Sequence, residues 1–74
     1  MARPSLQDIV AANIRFYAAE KPMSLDSVAD FAGVSRRQLY NFLSGEHDIT
    51  LGWLDKIARA LEVEPATLLT PRER

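Results

Sequence analysis

Two short amphipathic segments flank one glycine, Gly33, and this feature constrains the fold of the chain more than any other. Apolar residues recur at helical spacing on both sides of the glycine, in residues 24–32 and 36–43. Glycine adopts, without steric cost, the left-handed conformation that a sharp turn after a helix needs. Residues 24–45 are therefore predicted to form two helices joined by a tight turn.

The second of these helices has separate apolar and polar faces on a wheel of about 100° per residue. Its apolar face consists of Leu39, Phe42 and Leu43. Its polar face consists of Arg36, Arg37, Tyr40, Asn41 and Ser44. The segment before the glycine carries Asp26 and Asp30, so the positive charge of the pair lies on the second helix. This polar face is the candidate binding surface.

The size and composition of the chain predict a single domain, residues 1–74, with one simple core. A chain of 74 residues buries only about 60% of its unfolded surface and has no room for a deep catalytic cleft. Hydrophobic residues make up 47% of it, which is too apolar for a disordered tail. The absence of cysteine rules out disulfides and thiolate zinc sites, so packing alone must stabilise the fold.

No apolar run approaches the roughly 18 residues of a membrane span, and residues 1–21 lack the pattern of a signal peptide. We therefore expect a cytoplasmic protein without a membrane partner. A net charge of −1 argues mildly against a nucleic-acid binder, because phosphate neutralisation dominates non-specific affinity. The placement of the charges matters more than their sum, however.

Capping residues, prolines and glycines predict five helices and no strands, so the expected fold class is all-α. The expected helices are Leu6–Glu20, Leu25–Ala32, Arg36–Leu43, Leu51–Leu61 and Pro65–Leu69, between an arm at 1–4 and a tail at 70–74. Their expected N-caps are Ser5, Ser24, Ser35, Thr50 and Glu64. Asp8 is placed to complete a capping box with Ser5. Pro22 ends the first helix and Gly45 closes the third.

Apolar positions at helical spacing predict the core. In the first two helices they are Leu6, Ile9, Val10, Ile14, Tyr17, Leu25, Val28, Ala29 and Ala32. In the last two they are Leu51, Leu54, Ile57, Ala58, Leu61, Leu68 and Leu69. Ala29 is small, which lets another helix cross closely at that point.

The residues around the turn resemble the helix-turn-helix of the phage-repressor and Cro type, also called the XRE family. The matching positions are Ala29, Gly33, Ser35, Leu39 and Phe42. Residues 50–69, TLGWLDKIARALEVEPATLL, are similar to the fourth and fifth helices of that family. The resemblance implies a five-helix DNA-binding domain with a helix-turn-helix formed by its second and third helices. The third helix would enter the major groove, usually within a homodimer on a palindromic operator.

By position, the resemblance implies that Arg36, Arg37 and Asn41 contact bases, with Tyr40 alongside. Arginine can bond guanine O6 and N7 bidentately, and asparagine can do the same with adenine N6 and N7. Tyr40 would meet a phosphate or a thymine methyl group. The alternative for each residue is a solvated polar helix face.

Four residues are predicted to contact phosphates: Ser24, Ser35, Ser44 and Lys21. Ser24 and Ser35 lie near helix N-termini, where backbone N–H groups can bind phosphate oxygens. Helix capping alone is the alternative for these two serines.

Three departures from the family pattern affect this picture. Leu25 stands where relatives often have a glutamine that contacts phosphate, and Glu46 and Asp48 lie in a loop that is often basic. Both departures predict weaker contacts to the DNA backbone. Ala18 and Leu43 together replace an arginine–glutamate pair that relatives often bury, so no unpaired charge is left between the first and third helices.

The sequence leaves two placements open for Trp53, which lies beside the core stripe of the fourth helix. It is predicted either at a dimer interface, where large aromatics are enriched, or at the edge of its own core. His47 is the only histidine and is expected in an exposed loop. Without a cysteine or a second histidine beside it, no metal site is predicted.

These observations predict a sequence-specific DNA-binding transcriptional regulator, acting as a repressor and without a cofactor. The alternative is a helix-turn-helix fold used as a protein-interaction module, such as an antitoxin or phage adaptor, because fold does not guarantee function. An enzyme is not expected, since no acid, base, nucleophile or metal set converges in the sequence.

Overall fold

The computed structural model describes residues 4–45 and 48–72. Within these ranges it contains helices and no strand. The helices are α1 (Leu6–Glu20), α2 (Leu25–Ala32), α3 (Arg36–Leu43), α4 (Leu51–Leu61) and α5 (Pro65–Leu69). The all-α prediction is confirmed, and each helix has the bounds that its caps and breakers predicted. The expectations for Glu46 and His47 lie outside the described residues.

Side-chain caps explain where the helices begin. The Oγ of Ser5 accepts a hydrogen bond from the backbone N–H of Asp8, and the Asp8 side chain accepts one in return, which completes the predicted capping box. The hydroxyls of Ser24, Ser35 and Thr50 each accept from the backbone N–H three residues ahead. Such caps each stabilise a helix by about 1 kcal/mol.

Glycine and one glutamate end two of the helices in the left-handed conformation. Gly33 has a φ of 73°, and its N–H donates back into α2, as predicted for the turn between α2 and α3. Glu62 has a φ of 61° at the end of α4, and nothing in the sequence predicted this. The Glu62 backbone is strained because a β-carbon is disfavoured at positive φ.

The helices pack around one core. α1 lies against α5, α2 lies against α4, and α3 is held beside α2 by the turn. The buried apolar residues are Val10, Ile14, Ala18, Val28, Ala29, Leu39, Phe42, Trp53, Leu54, Ile57, Ala58, Leu61 and Leu68. Ala29 has no exposed surface, which agrees with its predicted place at a close approach of α2 to its neighbours.

Two leucines that were predicted to face the core do not. Leu6 is 57% exposed and Leu51 is 80% exposed. Each is the first residue of its helix, where the apolar stripe runs past the end of the packed layer. Together they line an open apolar groove that continues inward to Val10, Phe42 and Leu54. Helical spacing gives the direction of a side chain but does not show where the core ends.

Asn13 is the one buried polar side chain among the described residues, and it was not predicted. Its Nδ2 donates to the carbonyl oxygens of Leu68 and Thr70, each at 2.9 Å, and its Oδ1 accepts from Nε of Arg72 at 3.2 Å. The guanidinium of Arg72 also lies 3.9 Å from the ring centroid of Phe16. Asn13 thus satisfies the carbonyls at the end of α5 and joins α5 to α1.

Trp53 packs inside its own chain. Its side chain is 5% exposed, and its ring centroid lies 5.5 Å from that of Phe42 on α3. Its Nε1 is buried without a hydrogen-bond partner among the described residues. A contribution of Trp53 to a dimer interface stays a prediction.

Candidate nucleic-acid interface

Helix α3 presents its polar face to solvent because its apolar face is used to hold it in place. Leu39 and Phe42 are buried, and Leu43 is half-buried against the core. Ala18 is buried and Leu43 packs against the core, while a direct contact between the two stays a prediction. The polar residues of α3 form two stripes along its exposed side.

The first stripe faces the acidic residues of α2. The guanidinium of Arg36 donates two hydrogen bonds to Asp30, from Nε to Oδ1 at 3.1 Å and from Nη2 to Oδ2 at 2.7 Å. Nη1 of Arg36 also lies 3.6 Å from Oδ2 of Asp26. The hydroxyl of Tyr40 donates to Oδ1 of Asp26 at 2.6 Å. We call these four residues the α2–α3 clamp.

The pKa values of three clamp residues, Asp30, Arg36 and Tyr40, respond to these contacts. The hydrogen bond from Arg36 lowers the pKa of Asp30, and the positive charge of Arg36 acts in the same direction. The same hydrogen bond raises the pKa of Arg36. The hydrogen bond to Asp26, aided by partial desolvation, raises the pKa of Tyr40. These shifts favour the charged forms of Asp30 and Arg36 and the neutral form of Tyr40, which are the forms that make the contacts.

The second stripe is open. Arg37 and Asn41 lie on the other side of α3 and line a groove of about 330 Å³ together with Ser35, Gln38 and Asp48. Within the described residues, neither Arg37 nor Asn41 has a side-chain hydrogen-bond partner. Their guanidinium and amide groups thus remain available to an incoming ligand.

Gln38 was not singled out from the sequence, yet it is exposed and lines the same groove. Its position in the sequence could have indicated this placement. Gln38 lies three residues before Asn41, and side chains at that spacing lie on the same side of a helix. A glutamine amide offers both a donor and an acceptor to a base edge.

The predicted phosphate-contacting residues are spread over the molecule. Ser24 and Ser35 cap α2 and α3 with their hydroxyls. The hydroxyl of Ser44 donates to the carbonyl of Tyr40 at 2.9 Å. Lys21 is paired with Glu62 and lines a different depression, beside Phe31 and Met23. Ser35 alone of these residues lines the groove of Arg37, and phosphate contact by any of them stays a prediction.

The described residues offer neither a metal site nor a membrane-spanning helix. They contain no group of three or more histidine or acidic side chains that is placed to hold a metal ion. None of their helices combines the length and the apolar character that crossing a bilayer requires.

Known structures share this fold. A hypothetical transcription factor, NHTF, from Neisseria superimposes with a TM-score of 0.87 at 27% identity, over 96% of this chain and 85% of that one. The clp gene regulator ClgR from Corynebacterium glutamicum gives a TM-score of 0.82 at 25% identity, over 92% and 72% of the two chains.

A third structure shows the fold alone, because its identity is 24%. It is the restriction-modification controller protein C.AhdI from Aeromonas hydrophila, with a TM-score of 0.78 over 84% of this chain and 94% of that one. No curated protein matches the chain at a significant level.

The family comparison agrees with the geometry of α2 and α3. The model of the Cro/C1-type HTH DNA-binding domain matches residues 13–73, which is most of the chain. The chain belongs to this family of Cro/C1-type helix-turn-helix domains and is a DNA-binding transcriptional regulator.

Proposed function

We propose that the protein is a sequence-specific repressor that inserts α3 into the major groove of DNA. The observation that carries this proposal is the open stripe of α3, where Arg37, Gln38 and Asn41 line one groove. A helix of this kind fits the major groove, whose base edges present a distinct donor and acceptor pattern for every base pair. A repressor acts by occupying its operator, which needs a reading surface and no catalytic group.

The open stripe has the chemistry that base reading requires. Arg37 can donate two hydrogen bonds to guanine O6 and N7, and Asn41 or Gln38 can bond adenine N6 and N7. Each such bidentate contact contributes about 1–3 kcal/mol of discrimination against the wrong base. The serine at the start of α3, Ser35, lies beside them, where the first N–H groups of the helix favour a phosphate.

The proposal includes a homodimer on a palindromic operator, in the cytoplasm. One domain reads only a few base pairs, so a second copy on the next turn of DNA raises both affinity and specificity. Half-sites would then lie about 34–36 Å apart along the DNA axis.

A protein-interaction module remains the second candidate, and one observation favours it. Phe31 of α2 is 78% exposed, beside a depression that Met23 and Ala60 also line. A large exposed aromatic residue is typical of protein contacts. This surface does not include the open stripe of α3, so the two candidates use different faces.

Selection from a random duplex pool at low salt tests the proposal. The wild-type protein should enrich a motif with two related half-sites. Arg37→Ala should lose about 1–3 kcal/mol of binding free energy at one base pair of each half-site. Its response to substitutions at the other base pairs should match that of the wild type. Arg59→Ala is the matched control, because Arg59 is an exposed arginine on α4 that pairs with Asp55.

Two results would contradict the proposal. Failure of the wild type to enrich any duplex would favour the interaction module. Equal base preferences in Arg37→Ala and wild type would contradict base recognition by α3, even if the protein bound DNA.

A further inference from the structure

We propose that Asp26 and Asp30 are specificity-determining residues, because they hold Arg36 on α2 and so keep it from reading a base pair. Recognition is then left to the open stripe of Arg37, Gln38 and Asn41. This inference rests on the proposed function, since it concerns which side chains of α3 reach the bases.

The two tandem arginines of α3 are in opposite situations. Arg36 is engaged by two carboxylates, with a bidentate bond to Asp30 and a 3.6 Å contact to Asp26. Arg37, the next residue, has no side-chain partner within the described residues. From the sequence, both arginines are predicted to contact bases. In the fold they differ because Asp26 and Asp30 of α2 lie opposite Arg36.

Tyr40 makes the clamp more than a single ion pair. It lies four residues after Arg36, one helical turn on, and its hydroxyl donates to Asp26 at 2.6 Å. Asp26 is thereby fixed from a second direction while it faces Arg36. The clamp therefore joins α2 and α3 at two points of α3.

Releasing Arg36 to a base edge would leave Asp26 and Asp30 without their cation. Both carboxylates contact the exposed side of α3, so they would lie close to the phosphates of any duplex that received the helix. Like charges at such distances repel each other. To reach a base, Arg36 therefore has to break its contacts with Asp26 and Asp30 and leave both carboxylates unpaired near phosphates.

One exposed ion pair is weaker than a bidentate contact to guanine, so the clamp competes with base reading only through its two carboxylates acting together. The clamp residues are about half exposed, and an exposed ion pair changes an equilibrium by a factor of about 1.4 to 5. A bidentate arginine–guanine contact discriminates by about 5- to 150-fold. Two carboxylates together with phosphate repulsion offset much of that gain. Neutralising the carboxylates should restore it.

Selection from a random duplex pool, run in parallel on matched variants, tests this inference. The variant D26N/D30N keeps the shape of both side chains and removes their charges. We expect it to gain a preference for guanine of at least about fivefold at one further position of each half-site. D55N is the control, because Asp55 pairs with Arg59 on α4 and should leave the motif unchanged.

Two Arg36 variants assign the effect to that side chain. Arg36→Ala in the wild-type background should change base preferences by less than about twofold. The triple variant D26N/D30N/R36A should lose the new guanine preference. Single D30N, which retains the hydrogen bond between Tyr40 and Asp26, gives the same readout if the double variant does not fold.

The outcomes separate this inference from the proposed function. A wild-type motif that D26N/D30N leaves unchanged overturns the inference while the DNA-reading role of α3 stands. A new preference that persists in the triple variant also overturns it. If the wild type enriches no duplex, the proposed function fails and the inference fails with it.

Discussion

Arg36 donates two hydrogen bonds to Asp30, at 3.1 and 2.7 Å, and Gly33 lies midway between the two residues in the sequence. The left-handed backbone at Gly33 turns the chain between the two helices, and the carboxylate of Asp30 on α2 meets the guanidinium of Arg36 on α3. The turn and the ion pair therefore depend on each other: the turn sets the distance, and the pair ties the helices that the turn joins.

Gly33→Ala is expected to destabilise the fold by about 1–2 kcal/mol, the cost of a β-carbon in the left-handed region. A β-carbon at Gly33 meets no atom within 4 Å, so no steric clash adds to the backbone strain. Gly52→Ala is the matched control within α4, and it should stabilise the protein by about 0.5–1 kcal/mol. Urea unfolding followed by circular dichroism measures both. Equal effects of the two substitutions would contradict the strain at Gly33.

The titration of Tyr40 should show whether the clamp forms in solution. In a Tyr17→Phe background Tyr40 is the sole tyrosine, and its absorbance near 295 nm should titrate at a pKa above the ordinary tyrosine value. Asp26→Asn should lower that pKa, because it removes the charged acceptor of the phenol proton. An unchanged titration in Asp26→Asn would mean that the two side chains do not meet.

The sign of the accompanying stability change follows from the raised pKa of Tyr40. The folded state holds the phenol proton more tightly than the unfolded chain does. The resulting stabilisation is present below the unfolded pKa of tyrosine and is lost as the pH rises through the folded pKa. Unfolding at pH 7 and at alkaline pH, with and without Asp26→Asn, should show a smaller difference between the variants at high pH, where only the contact of Asp26 with Arg36 remains.

Asn13→Ala is expected to cost about 2 kcal/mol of folding free energy. The substitution leaves the carbonyls of Leu68 and Thr70 without their buried donor and frees Arg72 from its acceptor. Arg72→Ala, which removes only the exposed partner, should cost less than about 1 kcal/mol. Thermal unfolding compares the two. A smaller loss for Asn13→Ala than for Arg72→Ala would contradict this account.

Glu62→Gly is expected to stabilise the protein by about 0.5–1 kcal/mol. Glycine relieves the positive φ at the end of α4, and this gain exceeds the entropy that glycine loses on folding. The exposed pair with Lys21 is lost, which matters little at a surface site. Glu62→Ala separates the two effects, because it removes the pair and keeps the strain. If Glu62→Gly is no more stable than Glu62→Ala, strain at this position is negligible.

Local rules were enough to predict the helices, since each begins or ends at a residue whose chemistry acts within a few positions of the sequence. Ser5 with Asp8 and the turn at Gly33 are examples. Relations between distant parts of the chain were not predictable in this way. The role of Asn13 depends on where the end of α5 lies, and the exposure of Leu51 depends on where the core stops.

The candidate site was predicted in the same partial way. The wheel of α3 placed Arg36 and Arg37 together on a polar face, and both are exposed there. It gave no information on the side chains opposite that face. Asp30 meets Arg36 only because of the angle at which the turn sets α2 against α3. Base contact by any of these residues stays a prediction.

The packing of Trp53 on Phe42 makes the protein its own optical probe. Trp53 is the only tryptophan of the chain, and its ring lies against the inner face of the helix that carries Arg37 and Asn41. Its fluorescence therefore reports on the packing of α3 against α4 without any attached dye. A red shift in emission during titration with denaturant or with duplex DNA would show that water reaches the contact between Trp53 and Phe42.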